Sequence, residues 1–415
     1  MLKRLHNPLA IVFLTLLLDK LGENIVYPLL PFILEAYKPD ALTLGLVAST
    51  ATLFGVLTSP LMGSLSDSIG RRPVILACIG LNVISLLMFG WAGSLSVVFL
   101  SRAVNGVATS TMGTLQAYIT DISNPGNRAR NLGISGAAFG IGAIAGPALG
   151  GGLVHFGPSV PVFVAAGLAG YNLLTASIVL RETLSPQQRQ PLDLRRMNLI
   201  KPVLRLITAP RLNRIALAFA AFNLCFAAFT SLLVLSLKDL FGWNPGQTSG
   251  VLVVIGVTLT VVQVGLIGKL VKRWGEINVN RAGLALTAGS VLLIPVAQVS
   301  GAFTASVILL SGMVLAVGAA FVLPTARSLV SGLVAPTEQG VVLGSLASLT
   351  GLASAIGPIA AGWIYDKSSL GCFLFEAFFA LLGIALLGRD RAHPDLLITS
   401  QDSDLPVESG STSIR

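Results

Sequence analysis

Twelve apolar runs, each about twenty residues or longer, leave this 415-residue chain almost no way to fold in water. Their approximate limits are 8–31, 42–66, 73–92, 95–120, 131–154, 161–180, 213–237, 248–271, 279–299, 303–333, 340–365 and 370–388. About 20 mostly apolar residues suffice to cross a bilayer as a helix. Each run is expected to be helical, because lipid offers no partner to an unpaired backbone group. None alternates with the period of two that a barrel strand requires. Composition agrees, with 53% hydrophobic but only 11% charged residues, against about 25% charged in a soluble domain.

The net charge of +9 does not point to nucleic acid, because the basic residues lie in short loops rather than on a soluble patch. Of 27 Lys and Arg, 21 fall on one side of the expected spans: Lys3, Arg4, Arg71, Arg72, Arg128, Arg130, the 181–214 cluster, Lys269, Lys272, Arg273, Arg281, Arg389, Arg391 and Arg415. The other side holds Lys38, Lys238 and Lys367, while Lys20, Arg102 and Arg327 fall within spans. This asymmetry predicts cytoplasmic termini, the orientation of a plasma or inner membrane protein. Cys78, Cys225 and Cys372 all lie inside apolar runs and read as small hydrophobes. No cleavable leader is expected, since the first run is long enough to span and lacks a small-residue cleavage site.

An internal repeat divides the chain. The polar loop Gly63-Ser-Leu65-Ser-Asp67-Ser68-Ile-Gly70-Arg71-Arg72-Pro73 returns 205 positions later as Gly268-Lys-Leu270-Val-Lys272-Arg273-Trp-Gly275. Gly146-Pro147 with Gly150 and Gly151 matches Gly357-Pro358 with Ala361 and Gly362, and Gly133 matches Gly344. The expected units are a six-helix bundle at 1–181, a cytoplasmic linker at 182–212, a second six-helix bundle at 213–388 and a disordered tail at 389–415. The linker, with Asp193, Arg195 and Arg196, has room for a short amphipathic surface helix. Two parallel repeats with a site between them near the bilayer midplane are a transporter arrangement.

Several features resemble the major facilitator superfamily, and within it the twelve-span drug:proton antiporters that include the tetracycline-efflux proteins. They are the Gly63, Asp67, Gly70, Arg71, Arg72 loop; Arg102-Ala-Val-Asn105-Gly106 in span four; Gly133, Gly142, Gly146-Pro147 and Gly150-Gly151 in span five; and Leu18-Asp19 with Pro28 and Pro31 in span one. The resemblance covers all twelve spans. It implies an all-α membrane protein with twelve transmembrane helices in two six-helix bundles, the major facilitator fold. It implies efflux by alternating access, driven by the proton gradient and without a cofactor. Two departures stand out. Ser68 occupies a place where a basic residue is common, and Lys272 stands where the first half has Asp67.

Asp67 with Arg71 and Arg72 reads either as an ion-pair latch closing the cytoplasmic side or as a tight turn carrying topology charges. Asp19 and Glu23, four apart on one helix face, lie at a depth where an ionisable group faces a wet cavity or a partner. They read as the proton-coupling pair with Arg102, or as a static salt-bridged knot with Lys20. The resemblance leans slightly to Asp19 as the carrier. The span-five glycines are expected to pack against span eight. Asp121 with Arg128 and Arg130 reads as a second cytoplasmic cluster or a solvated loop. Gln116, Asn223, Phe226, Gln263 and Arg327 are weaker pocket candidates, with Tyr118, Phe222 and Phe229 beside them. Arg327 is placed deep enough to need a partner or cavity, and reads either as a contact for an anionic substrate or as a side chain that merely reaches a helix end.

His6, His155 and His393 form no ligand set, and neither a nucleophile–base pair nor a metal set appears, so an enzyme is not expected. No Walker-type phosphate loop is present, which argues against ATP as the energy source. The expected partners are a small-molecule substrate, protons and the lipid bilayer, and the chain is expected to act as a monomer. Import or uniport of a small metabolite stays open as an alternative, as does a non-transporting sensor or lipid-handling protein.

Overall fold

The computed structural model describes residues 8–124, 126–192, 200–210, 212–335 and 338–388. The expectations that fall on Lys3, Arg4, His6, Asp193, Arg195, Arg196, Arg211 and the 389–415 tail, including Arg389, Arg391, His393 and Arg415, lie outside the described residues. Among those described, every regular element is a helix.

The first half contains α1 (Pro8–Val26), prolonged by helical turns and the single-turn α2 (Leu30–Ile33) to Tyr37. It continues with α3 (Ala41–Ile69), α4 (Arg71–Gly90), α5 (Leu95–Thr109), α6 (Thr111–Asp121), α7 (Arg128–Leu153) and α8 (Val160–Val179). After α9 (Ile200–Thr208) in the linker, the second half contains α10 (Asn213–Phe241), α11 (Pro245–Gly265), α12 (Ile267–Trp274), α13 (Glu276–Val299), α14 (Thr304–Gly332), α15 (Gln339–Tyr365) and α16 (Ser369–Gly388).

Local chemistry sets the boundaries. Asp40 caps α3 by accepting from the Thr43 amide at 2.8 Å. Asn244 and Gln247 form a reciprocal capping box at the head of α11, with Pro245 in the first turn, where its missing N–H costs nothing. Gly70 (φ 114°) and Gly275 (φ 77°) end the equivalent helices α3 and α12 in conformations that favour glycine.

Ten described helices are long and apolar enough to cross a membrane, by length and composition. The first and fourth runs fall short for local reasons. α1 carries Asp19, Lys20 and Glu23 within 19 residues. The fourth run breaks at Ser110 into helices of 15 and 11 residues. The eighth run also breaks, at Leu266 between α11 and α12. The chain is an integral, multi-pass membrane protein.

Within the first half α1 packs on α7 and α8, and α4 on α5 and α8. The second half pairs α10 with α15 and α16, and α13 with α14 and α16. Two seams join the halves, α3 against α15 and α7 against α11. The linker helix α9 buries Val203 and Leu206 in a core shared with α10 and α15. We call the side that bears the linker the linker face, and the other the distal face.

Candidate functional site

The seam between α3 and α15 is tight at the distal face and opens toward the linker face, whereas α7 and α11 stay in contact from Gly151 at Ser249 to Gly140 at Thr260. A Cβ on Gly45 would overlap the Pro358 backbone, and one on Gly362 would overlap Ala41. Asp366, from the second half, accepts the backbone N–H groups of Ala41 at 2.8 Å and Leu42 at 3.0 Å, at the head of α3. Lys238 pairs with Glu35 across the halves at 3.1 Å and lies over the Phe32 ring. A common core beneath holds Ile25, Leu30, Leu44 and Val47 with Ala228, Leu232 and Ala361.

Toward the linker face α3 and α15 diverge. A cavity of about 450 Å³ opens there, lined by Gly55, Ser59 and Pro60, by Ser110 and Gly113, and by Gly340, Gly344 and Ser348. That volume is within the range that holds a drug-sized molecule. A Cβ added at Gly63 would have no neighbour within 4 Å, so no other helix approaches this glycine closely.

Midway along α1 lies a knot of charge. Lys20 donates to Glu23 at 2.5 Å and stands 4.0 Å from Asp19. Glu23 has 46% of its side chain exposed, against 23% for Asp19. Asp19 instead accepts from the Asn82 amide at 3.3 Å. Asn82 in turn accepts from Asn105 at 3.1 Å, so a buried chain of amides runs from α5 through α4 to Asp19. The two carboxylates therefore share Lys20 unequally, Glu23 in close contact with it and Asp19 at 4.0 Å with a neutral donor beside it. Arg102 stacks on the Phe89 ring, its guanidinium carbon 4.4 Å from the centroid. Its Nε and Nη2 are buried without a hydrogen-bond partner. Nearby, the Tyr27 and Ser231 hydroxyls meet across the halves at 3.0 Å.

The span-five glycines hold this knot in place, but mostly against a different helix from the one expected. Cβ atoms on Gly142, Gly146 and Gly150 would run into Lys20, Asn24 and Ile25 of α1. Of the motif glycines Gly151 meets α11, at Ser249, and Gly140, outside the motif, meets it at Thr260. The reason is helical phase, since residues four apart share a face and Gly151 lies a further 100° round. Pro147 is buried between the two faces, while Gly133 is exposed with no neighbour in reach.

At the linker face Arg71 bridges Asp67 at 2.5 Å and Asp121 at 3.2 Å. Asp121 also accepts from the Thr183 hydroxyl. Glu182 accepts the Arg71 and Arg72 amides at the head of α4 and those of Thr183 and Leu184. Partial burial opposes its charge, but the Leu184, Arg71, Arg72 and Thr183 amides together hold its carboxyl below the usual range. Arg72 donates to the Ser177 carbonyl at 2.7 Å. The cluster expected of Asp121 with Arg128 and Arg130 does not form. Both arginines are exposed and have no ion pair among the described residues, because Arg71 already fills the position beside Asp121.

The weaker pocket candidates scatter. Arg327 is exposed five residues before α14 ends, which favours the reading in which its long stem reaches the helix end at the linker face over a deep substrate contact. Phe222 and Phe229 are core residues, and half-buried Phe226 stacks on Phe222 with centroids 5.6 Å apart. Asn223 donates to its own helix at Phe219. Tyr118 is buried in the first-half core, Gln116 is exposed and Gln263 is half-buried near the α11 break.

Sequence reasoning missed Asn82, Asp366, Glu182 and Glu376. Glu376 is fully buried in α16, its Oε1 accepting from the Cys372 thiol at 3.7 Å and its Oε2 unpartnered. Its signal was a lone acid in the apolar run Leu374-Phe375-Glu376-Ala377-Phe378.

Comparison with known proteins places this architecture. The chain is 32% identical over 371 residues to the class C tetracycline resistance protein of Escherichia coli, covering 88% of this chain and 91% of the relative. It is 28% identical over 372 residues to Multidrug resistance protein 2 of Bacillus subtilis, covering 88% and 90%. Its fold matches the human organic anion transporter MFSD10 (TETRAN) with a TM-score of 0.70 at 26% identity, over 92% of this chain and 98% of that one. The family model of the Major Facilitator Superfamily matches residues 12–313 and 282–411. With two repeat-related sets of helices meeting at two seams, and with relatives aligned over nearly nine-tenths of its length, the chain belongs to the Major Facilitator Superfamily of membrane transporters.

Proposed function

We propose that the protein exports a small amphipathic or hydrophobic compound in exchange for protons, by alternating access across twelve membrane crossings in two six-helix bundles. The linker face is cytoplasmic, so the state with that face open loads from inside the cell. The observation that carries the reading is the unequal pair on α1. A carboxylate deep in a membrane protein is costly unless it is paired or wet. Glu23 is held in close contact by Lys20, whereas Asp19 stands farther from that cation, at 4.0 Å, and rests on an uncharged amide. Asp19 is then the group that takes a proton from outside and gives it up inside. Glu23 keeps Lys20 from capturing Asp19 permanently.

The relatives named for tetracycline and multidrug resistance support the substrate class and the outward direction. The cytoplasmic cluster of Asp67, Arg71 and Asp121 is the gate that re-forms against the second half once the linker face shuts. Gly63 and Gly344, now without close neighbours, are surfaces on which that closure lands.

A second reading is favoured by Arg102. Two buried donors without partners, over an aromatic ring, suit the carboxylate of an organic anion. Uptake of tetracycline and of a fluorescent organic anion into inverted vesicles, each with an imposed proton gradient, tests the two readings. Gradient-driven tetracycline accumulation supports drug export. Accumulation of the anion alone, lost in Arg102→Gln, supports the second, and accumulation of neither refutes both.

A further inference from the structure

The two loops related by the internal repeat differ in how their charges are met. In the first, Arg71 is paired with Asp67 and Asp121, and Arg72 is hydrogen-bonded to Ser177. In the second, Lys269, Lys272 and Arg273 on α12 are all exposed, and none has an ion pair among the described residues. The position equivalent to Asp67 is Lys272 itself, so the repeat has exchanged a latch for a cluster of cations.

The approach to that cluster is apolar and exposed. Ile267, Leu270 and Val271 turn the other side of α12 onto a core with Val279 and Phe321, which leaves the cations on the outside. The helix begins where α11 breaks at Leu266, the linker-face end of a membrane-spanning segment. Val261, Val264 and Leu266 lead up to it with 64%, 85% and 43% of their surface exposed. Trp274, 48% exposed, closes it. Indole rings favour the level of the membrane–water boundary. A free anion would need only the cations. An acyl chain explains the apolar approach as well.

We propose that α12 is a binding site for an anionic phospholipid of the linker-face leaflet, with the headgroup phosphate on Lys269, Lys272 and Arg273 and an acyl chain along Val261 and Val264, which share a face of α11. Basic residues that serve only as an orientation signal need no headgroup preference, and that difference is measurable. Trp274 is the only one of the four tryptophans at this face, since Trp91, Trp243 and Trp363 lie at the distal ends of their helices. Its fluorescence is isolated by subtracting the Trp274→Phe signal.

The full-length protein is reconstituted in phosphatidylcholine vesicles containing a small fraction of brominated phosphatidylglycerol or, in parallel, brominated phosphatidylcholine. Each basic side chain near the surface contributes about fivefold, so brominated phosphatidylglycerol is expected to reach Trp274 with roughly a hundredfold preference at low salt. The preference shrinks as salt screens it. It falls about fivefold in each of K269Q, K272Q and R273Q and disappears in the triple variant. Equal quenching by the two lipids, a preference that survives the triple substitution, or full displacement by soluble glycerol phosphate would each overturn the proposal.

Discussion

Gly146 of α7 and Asn24 of α1 meet so closely that the Asn24 Cβ lies 2.5 Å from where a Cβ on Gly146 would stand. The contact is repeated one turn away on each side, by Gly142 at Lys20 and by Gly150 at Ile25. Backbone-close packing of this kind is how membrane helices associate without a hydrophobic drive. Here it sets the position of the helix that carries Asp19, Lys20 and Glu23.

Gly146→Ala is therefore expected to displace α1 and to destabilise the fold by about 1–3 kcal/mol, the cost of overpacking a close contact. Gly133→Ala, at an exposed position with open space around it, is expected to be neutral. Thermal melting in detergent, read for both variants beside transport, checks the difference.

The Asn105–Asn82–Asp19 chain makes Asn82 a positioning residue for Asp19. Asn82→Leu removes the donor, and proton-driven exchange is expected to slow with its pH profile displaced. Asn82→Ser, which keeps a donor, recovers part of the wild-type profile. A purely structural role for Asn82 lowers the yield of folded protein and leaves the profile in place.

The distal face is held by Asp366 on the head of α3. Asp366→Ala removes two charge-assisted hydrogen bonds, together about 1–2 kcal/mol at an exposed site. That is roughly a tenfold rise in the population open to the distal side. Spin labels at Ala36 and Leu370, on opposite halves of that face, are expected to show a longer distance component in the variant than in the wild type.

Glu182 makes stability at the linker face pH-dependent. Its folded value lies below the ordinary 4.5, so the ionised cap stabilises the fold above the unfolded value. That contribution is lost as the pH falls through the lower folded value. Thermal melting from about pH 3 to about pH 7, a window that brackets ordinary carboxylate titration, is expected to show a low-pH loss that Glu182→Gln lacks. At neutral pH the variant melts slightly earlier.

How much of this was legible in the sequence depends on the kind of signal. The apolar runs and the repeated loop are one-dimensional patterns, and they correctly announced a helical transporter with charge beside Asp67. The glycines of span five announced a close contact but not its partner. Gly142, Gly146 and Gly150 share one helix face by spacing alone, yet which helix that face meets depends on the fold. Asn82 was silent because one amide in an apolar run has no periodicity. Asp366 was silent because its partners are backbone amides 324 and 325 residues away, which no side-chain pattern records. Arg128 and Arg130 misled by proximity in sequence, when Arg71 had the better geometry at Asp121.

The central claim is that Asp19 exchanges the proton while Glu23 stays tied to Lys20. Purified protein in vesicles with an internal pH dye, given the exported compound on the cytoplasmic side, measures it most directly. The account predicts substrate-dependent proton movement in the wild type, its loss in Asp19→Asn, and its retention at reduced rate in Glu23→Gln. Undiminished proton movement in Asp19→Asn would contradict it.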